Sequence, residues 1–350
     1  MTVAEGNVTL SPGAPVVRIQ PRATGQSLWK DSWRRLRRNR FAVLGMIIIL
    51  VMIVLALTAD LIAPYSYSKQ TLADNNAAPL WVTQLFPNMI PRGEPGGYVL
   101  VSDKYALGAD SLGRDLLSRI IHGTRVSLAV AFIGPLFSMA IGLAIGLIAG
   151  YAGGRVDNIL MRLVDLMYAF PTLLLIILLM AFFRASGGGV EPGTFAYTVN
   201  QLDRAMGGML FIVIGLGITS WMNMARLVRG QVLSIREKEY IEAARSLGTP
   251  TRGIMLRHIL PNILGPIIVA ETLTIPTYIN YEAFLSFIGL GVNAPTPSWG
   301  AMISDGANYI GSYPNQALFP SIMLFLIVFA FNFLGDGLRD ALDPRMRGVD

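Results

Sequence analysis

"EYIEAARSLGTPTRGIMLRHILPN", residues 239–262, lies between two long apolar runs and matches neither of them. Just before it and within it, Ile235, Ile241, Ala244 and Leu247 recur among charges, a spacing that gives a short helix one apolar face. Ser234 stands where it can cap that helix, with Glu237 three residues on as in a capping box. Gly248 ends it, since a helix that closes with a left-handed residue is easiest to close with glycine. Thr249 and Pro250 then fit the cap and first residue of a second short helix. A solvated loop would require no such start, corner and restart, and Ile254, Leu256, Ile259 and Leu260 would be poorly placed in water. The expectation is a helix-corner-helix that docks on a cytoplasmic partner, with the small Ala243 and Ala244 allowing close approach.

The surrounding composition is that of a membrane protein. Of 350 residues, 53% are hydrophobic and only 14% charged, where a soluble domain carries about 25% charged residues. The net charge is +6, but the basic residues cluster beside apolar runs instead of alternating with aromatics along one stripe, so no nucleic acid partner is expected. The absence of cysteine excludes disulfides, thiolate catalysis, zinc-thiolate sites and iron-sulfur clusters together. The two histidines, His122 and His258, are far apart, and no metal or cofactor is expected on this chain. Residues 1–26 are polar and rich in Pro and Gly, and the first apolar run is too long for the core of a signal peptide. That run is expected to stay as an anchor.

A hydrocarbon layer of about 30 Å needs about 20 apolar residues in helix. Six segments approach that length: Phe41–Ala63, Val126–Ala149, Ile159–Phe183, Met209–Val228, Ile263–Phe287 and Phe319–Leu334. Pro135, Pro171, Pro266 and Pro276 fall inside them, which membrane helices tolerate when neighbours satisfy the freed backbone groups. Lys and Arg concentrate in the arm Arg18 to Arg40, at Arg155 and Arg162, between Arg226 and Arg257, and at Arg339, Arg345 and Arg347. By the positive-inside rule both termini are then cytoplasmic. The expected organisation is a flexible cytoplasmic segment 1–26, an interfacial helix 27–40, a first span 41–63, an external segment 64–125, a permeating core 126–340 holding the cytoplasmic loop 230–262, and a cytoplasmic tail 341–350.

"SLWKDSWRRLRRNR" (27–40) spaces Trp29, Trp33 and Leu36 for a helix lying in the headgroup region. "DSLGRDLLSRIIHGTRVSL" (110–128) puts Leu112, Leu116 and Ile120 on one face of an external helix leading into the second span. Gly142, Gly146 and Gly150 give that span a face for close helix packing. The fifth run differs, because Pro266, Glu271, Pro276, Asn280 and Glu282 interrupt it. Ionisable groups at membrane depth face a bundle interior or a wet cavity, so Glu271, Tyr278, Asn280 and Glu282 are candidates for lining a solute path. For Glu282 a position near the outer interface is the equal alternative.

Glu242-Ala243-Ala244, three residues, Gly248, nine residues, then His258-Ile259-Leu260-Pro261 resembles the EAA loop of bacterial ABC importer permeases, with His258 where the general pattern has Ile. "LGADSLGRDLLSRIIHGTRVSL", "GYAGGRVDNILMRLVDLMYAFP", "EAFLSFIGLG", "PSWGAMISDGAN" and "FNFLGDGLRDALDPR" are similar to signatures of the peptide/nickel permease family, in its C-type subunits, and closer to the oligopeptide than to the dipeptide branch. The likeness runs from about Ser27 to Arg347. Ala109 replaces the usual Thr, Glu271 is unexpected in its span, and Arg184 to Gly208 looks inserted, departures that bear on cargo and not on fold.

The resemblance implies an all-α polytopic fold with six transmembrane helices of the type I importer kind, in the cytoplasmic (inner) membrane of a bacterium. It implies a non-catalytic permease subunit working with a B-type permease, two ATP-binding subunits that use ATP and Mg, and an external substrate-binding protein that delivers peptides, oligopeptides first. It further implies that Glu242, Ala243, Ala244, Arg245, Leu247 and Gly248 form the coupling helix held in a cleft of the ATPase. Dipeptides, nickel, glutathione and murein peptides are the alternative cargoes. The chain lacks the G-x-x-x-x-G-K-[ST] loop that cradles nucleotide phosphates, so ATP hydrolysis falls to a partner. An intramembrane hydrolase would need a nucleophile with a base or a metal, and Asp165 and Glu271 stand without either. A passive channel would leave the docking loop unexplained.

Overall fold

The computed structural model describes residues 28–185 and 193–342. The segment 1–26, the tail beyond Leu342 and the middle of the inserted loop 184–208 lie outside the described residues. The helices run, in order, α1 (Leu28–Arg38), α2 (Arg40–Leu57), α3 (Ala59–Ile62), α4 (Leu80–Leu85), α5 (Leu116–Ala152), α6 (Gly154–Tyr168) and α7 (Thr172–Ala185). They continue with α8 (Phe195–Ala205), α9 (Met209–Arg236), α10 (Glu239–Ser246), α11 (Thr251–Gly253), α12 (Leu260–Phe287), α13 (Trp299–Ala307) and α14 (Asn315–Leu342). Among the described residues β-pairing is confined to isolated bridges such as Ala78 with Val101 and Pro91 with Val99.

Five helical stretches are long and apolar enough to cross a bilayer: α2, α5, α9, the continuous run Thr251–Phe287, and α14. The third expected span, Ile159–Phe183, is broken: α6 and the start of α7 meet at 82° and count as one crossing only together. Pro171, between the two helices, has no amide hydrogen to continue the helical ladder and disfavours helical geometry at Phe170. The upstream half is also amphipathic, so its polar side seeks other polar groups and not lipid.

The second span is longer than its apolar run. α5 holds 37 residues, about 55 Å at the usual helical rise, so its first turns stand clear of the hydrocarbon layer. The external helix expected over 110–128 is not separate from it: Asp115 caps α5 directly, accepting from the Ser118 amide, and Leu112 lies before the helix. Leu116 and Ile120 are buried against Met302 of α13, as an amphipathic entry requires.

α5 and α9 form the centre of the bundle. A Cβ on Gly142 would come 2.5 Å from Met224 Cβ, one on Gly146 2.6 Å from the Ala225 carbonyl oxygen, and one on Gly150 2.7 Å from Val232 Cβ. Three hydrogens at four-residue spacing thus bring the backbones together. α6 is fastened to the same core by Arg229, whose Nε and Nη2 reach the two Asp157 oxygens at 2.5 and 2.7 Å. Arg226 pairs with Asp165 at 2.5 Å and lies over the Tyr168 ring, whose hydroxyl donates to Asn223.

α2 packs on α14 through Gly45, which has no room for a Cβ against the Ala330 carbonyl. Its other side exposes Leu44, Ile47, Leu50, Val51 and Val54, a lipid-facing surface for a helix of this length. α1 tucks Leu36 against Ala42 and Ala341 and leaves Trp33 half exposed, consistent with an interfacial elbow. On the far side, Ala78, Val82, Met89 and Val99 make a small core of the external segment against Phe319 and Tyr313 near the start of α14. Lys104 and Tyr105 both donate to Asp74, at 2.5 and 2.9 Å, and hold its carboxyl below the usual carboxylate range, Lys104 contributing most.

Candidate coupling segment and buried acids

α9 does not stop where its composition changes. It runs through Ser234 to Arg236, whose Nη1 donates to the Gly150 carbonyl at the end of α5. Ser234 is therefore inside a helix and caps nothing; the capping position of α10 belongs to Lys238, without a side-chain bond. The restart is likewise displaced by one residue, with Pro250 at the cap and Thr251 first in α11. The corner itself is as expected. Gly248 has φ +79°, and the amides of Leu247, Gly248 and Thr249 close on the carbonyls of Ala243, Arg245 and Ala244.

Which residues face the body follows from burial. Ile241 and Ala244 of α10 are buried, and Ile241 joins Val228 and Val232 of α9, Ile254 and Ile259 beyond the corner, and Ile263 and Ile267 of α12 in one apolar cluster. Glu242, Ala243, Arg245 and Gly248 lie on the open side. Leu247, counted among the residues expected to meet the ATPase, is 87% exposed, while Leu256 is 57% exposed where Ile254 and Ile259 are buried. From Ile254 to Ile259 the chain is wound as a wider π-helix before α12 begins at Leu260. Such a local widening shifts the register of side chains. It turns Ile254 and Ile259 inward from one short segment. The result is a rigid base with a solvent-facing ridge of Tyr240, Leu247 and Leu256 among charges.

The four residues of the fifth run divide into three places. Tyr278 donates to Glu271 Oε1 at 2.9 Å, and both are buried, with the Tyr278 ring lying over Gly134 of α5. Glu282 is fully buried near the end of α12, where the Ser286 hydroxyl donates to its Oε1 at 2.7 Å and Ser298, the cap of α13, donates to Ser286 at 3.1 Å. Asn280 is on the exposed side of α12 with Thr277. Glu271 and Tyr278 thus form one site, while Glu282 belongs to the junction that seats α13. Sequence reasoning missed the polar group beside that junction: Arg114, Arg119, Asp110 and Asp305. The charged spacing of Arg114 and Arg119 was visible, but their meeting with Asp305 depends on how α13 folds back.

This bundle, with its glycine-cornered segment seated between α9 and α12, has the anatomy of a membrane permease. The family model described as "Binding-protein-dependent transport system inner membrane component" matches residues 142–348, and one for the "N-terminal TM domain of oligopeptide transport permease C" matches residues 27–79. The oligopeptide transport system permease protein OppC of Bacillus subtilis is 39% identical, over 92% of this chain and 91% of that protein. The dipeptide transport system permease protein DppC of the same organism is 38% identical, over 92% and 87%. A chain of the inward-facing MetNI methionine ABC transporter superposes with TM-score 0.49 at 20% identity, over 65% of this chain and 98% of that one. The chain belongs to the family of binding-protein-dependent transport system inner membrane components.

Proposed function

We propose that this chain is the C-type permease subunit of an ATP-driven importer that brings peptides, oligopeptides foremost, into a bacterial cytoplasm. The observation that carries the reading is the coupling segment: Ile241, Ile254 and Ile259 fix it to the cores of α9 and α12, while Glu242, Ala243, Arg245 and Leu247 are left on the open side. A ridge of that kind suits docking in a cleft of an ATP-binding subunit. Closure of two such subunits on ATP and Mg would push the segment, and the shared cluster would pass the push to α9 and α12 as a rigid-body movement. Cargo would come from an external binding protein, and a B-type permease would complete the pathway in the inner membrane. Glu271 and Tyr278 would meet the cationic end of a peptide when the bundle opens, with Asn280 facing the second permease or the path.

The cargo assignment rests on relatives named for oligopeptide transport and on the OppC-type N-terminal match. Dipeptide uptake is the second reading, because the DppC relative is only one percentage point less identical than OppC. The test is reconstitution with the B-type permease, both ATP-binding subunits and the binding protein in proteoliposomes. ATP-dependent accumulation of penta-alanine is expected, with loss on Glu242→Lys together with loss of ATPase co-purification. Flux without ATP, or a Glu242→Lys complex that assembles and transports normally, would reject the coupling mechanism.

A further inference from the structure

At the end of the bundle away from the coupling segment, a cavity of about 430 Å³ opens between the start of α5, the turn after α12 and α13. Its wall includes Arg114, Arg119, Ser286, Thr296, Ser304 and Asp305. Both arginines are more than nine-tenths buried, Arg119 at 4% exposure and Arg114 at 6%. They share one buried carboxylate. Arg114 Nε donates to Asp110 Oδ2 at 2.6 Å, Arg119 Nε stands 3.5 Å from the same oxygen, and Asp110 Oδ1 is occupied by the amides of Leu112 and Arg114. Arg119 Nη1 donates to the Tyr67 carbonyl at 3.4 Å. The remaining acid, Asp305, has an exposed side chain at the rim, 3.9 Å from Arg114 Nη2.

Along the wall the two buried guanidiniums face one buried carboxylate, Asp110, with the second acid, Asp305, out at the rim and Glu282 one hydroxyl behind the surface at Ser286. An arginine cannot shed its charge as a histidine or lysine can, and its planar fork suits a carboxylate. We infer that this cavity receives a carboxylate, the free C-terminal carboxylate of a peptide entering from the external side. Arg119 and Arg114 bind the charge, the Thr296 hydroxyl serves the neighbouring amide, and Asp305 moderates entry at the rim. The inference rests on the peptide-importer reading and adds to it a site on the permease itself, apart from the Glu271 and Tyr278 pair.

The test uses the full complex in proteoliposomes, with tri-alanine and its C-terminal amide as probes. Because one binding protein serves every variant, its own preference cancels when variants are compared with wild type. Arg119→Gln is expected to lower the acid-to-amide uptake ratio about tenfold, the scale of one charge-assisted hydrogen bond. Asp305→Asn, at an exposed position where folding is not at stake, is expected to raise that ratio severalfold. An unchanged ratio in Asp305→Asn overturns the inference even where Arg119→Gln fails to fold. A ratio unchanged in both variants, with weaker docking of the peptide-free binding protein to Arg119→Gln, also overturns it and assigns the carboxylate to the binding protein. Wild-type complex that accumulates neither probe rejects the importer reading, whereas uptake of both probes with indifferent variants rejects this site alone.

Discussion

Gly248 turns the chain at φ +79° while nothing lies within 4 Å of the place a Cβ would take, so backbone geometry and not crowding opposes substitution there. The left-handed region costs an ordinary L-residue about 1–2 kcal/mol, and asparagine tolerates it best. Gly248→Val should therefore uncouple ATP hydrolysis from uptake, whereas Gly248→Asn should retain most transport at matched expression. Equal uptake by the valine variant would mean that the corner does not transmit the drive. The buried pair on α12 supports a different pair of outcomes. Tyr278→Phe removes the donor from Glu271 and leaves a buried carboxyl oxygen without it, a loss of about 1–3 kcal/mol that thermal melting in detergent would register. Glu271→Gln keeps an acceptor but not a negative charge. Uptake of lysine-ended peptides should fall severalfold while that of neutral peptides stays level; an unchanged uptake profile would remove Glu271 from the path.

Elements were legible in the sequence where a single local cause defines them. Apolar length alone located α2, α5, α9, α12 and α14, and Gly248 announced the corner because no other residue is as easy there. The break between α6 and α7 was not legible as an 82° bend, since the apolar run continues across Pro171 and only the packing of α6 on α9 shows its direction. Ser234 misled for a related reason: as a cap it would have ended a helix that Val232 packing and the bond from Arg236 to Gly150 carry onward. Leu247 recurs with Ile241 and Ala244 in the sequence, yet it stands at the C-terminal cap of α10 and is exposed where they are buried. The glycine stripe on α5 was legible as a packing face, and its partner is now α9. Gly146→Val should lower the melting temperature of the purified complex through a cost of about 1–3 kcal/mol, because its Cβ would press on the Ala225 carbonyl and Val228. Gly230→Ala in the same contact helix, where nothing lies within 4 Å, should leave the melting temperature unchanged or raised. Similar effects from the two would show that the crowding at Gly146 is not what holds α5 to α9.

At the scale of the whole molecule, contacts fix which parts share an end of the bundle, and charge then assigns the ends to the two sides of the membrane. The start of α5 and the start of α14 carry the external segment and α13, through Leu116, Ile120 and Met302 and through Phe319 against Val82 and Met89. The far end of α14 meets α1 through Leu36 and Ala341, and the far end of α5 meets the coupling segment through Gly150, Arg236 and Val232. α1 and the coupling segment therefore lie together, opposite the external segment. By the positive-inside rule the arginines of α1 and of the coupling segment lead to the expectation that this shared end is cytoplasmic. A chain without cysteine makes the assignment directly measurable, because one introduced thiol gives the whole signal. Glu94→Cys, at an exposed position of the external segment, should react with a membrane-impermeant maleimide in intact cells. Lys238→Cys, exposed at the start of α10, should react only after permeabilisation, and should then be shielded when the ATP-binding subunits are co-expressed. Labelling in the reverse order would invert the protein in the membrane, moving the arginine-lined cavity to the cytoplasm and leaving the ridge of α10 where no ATPase could reach it.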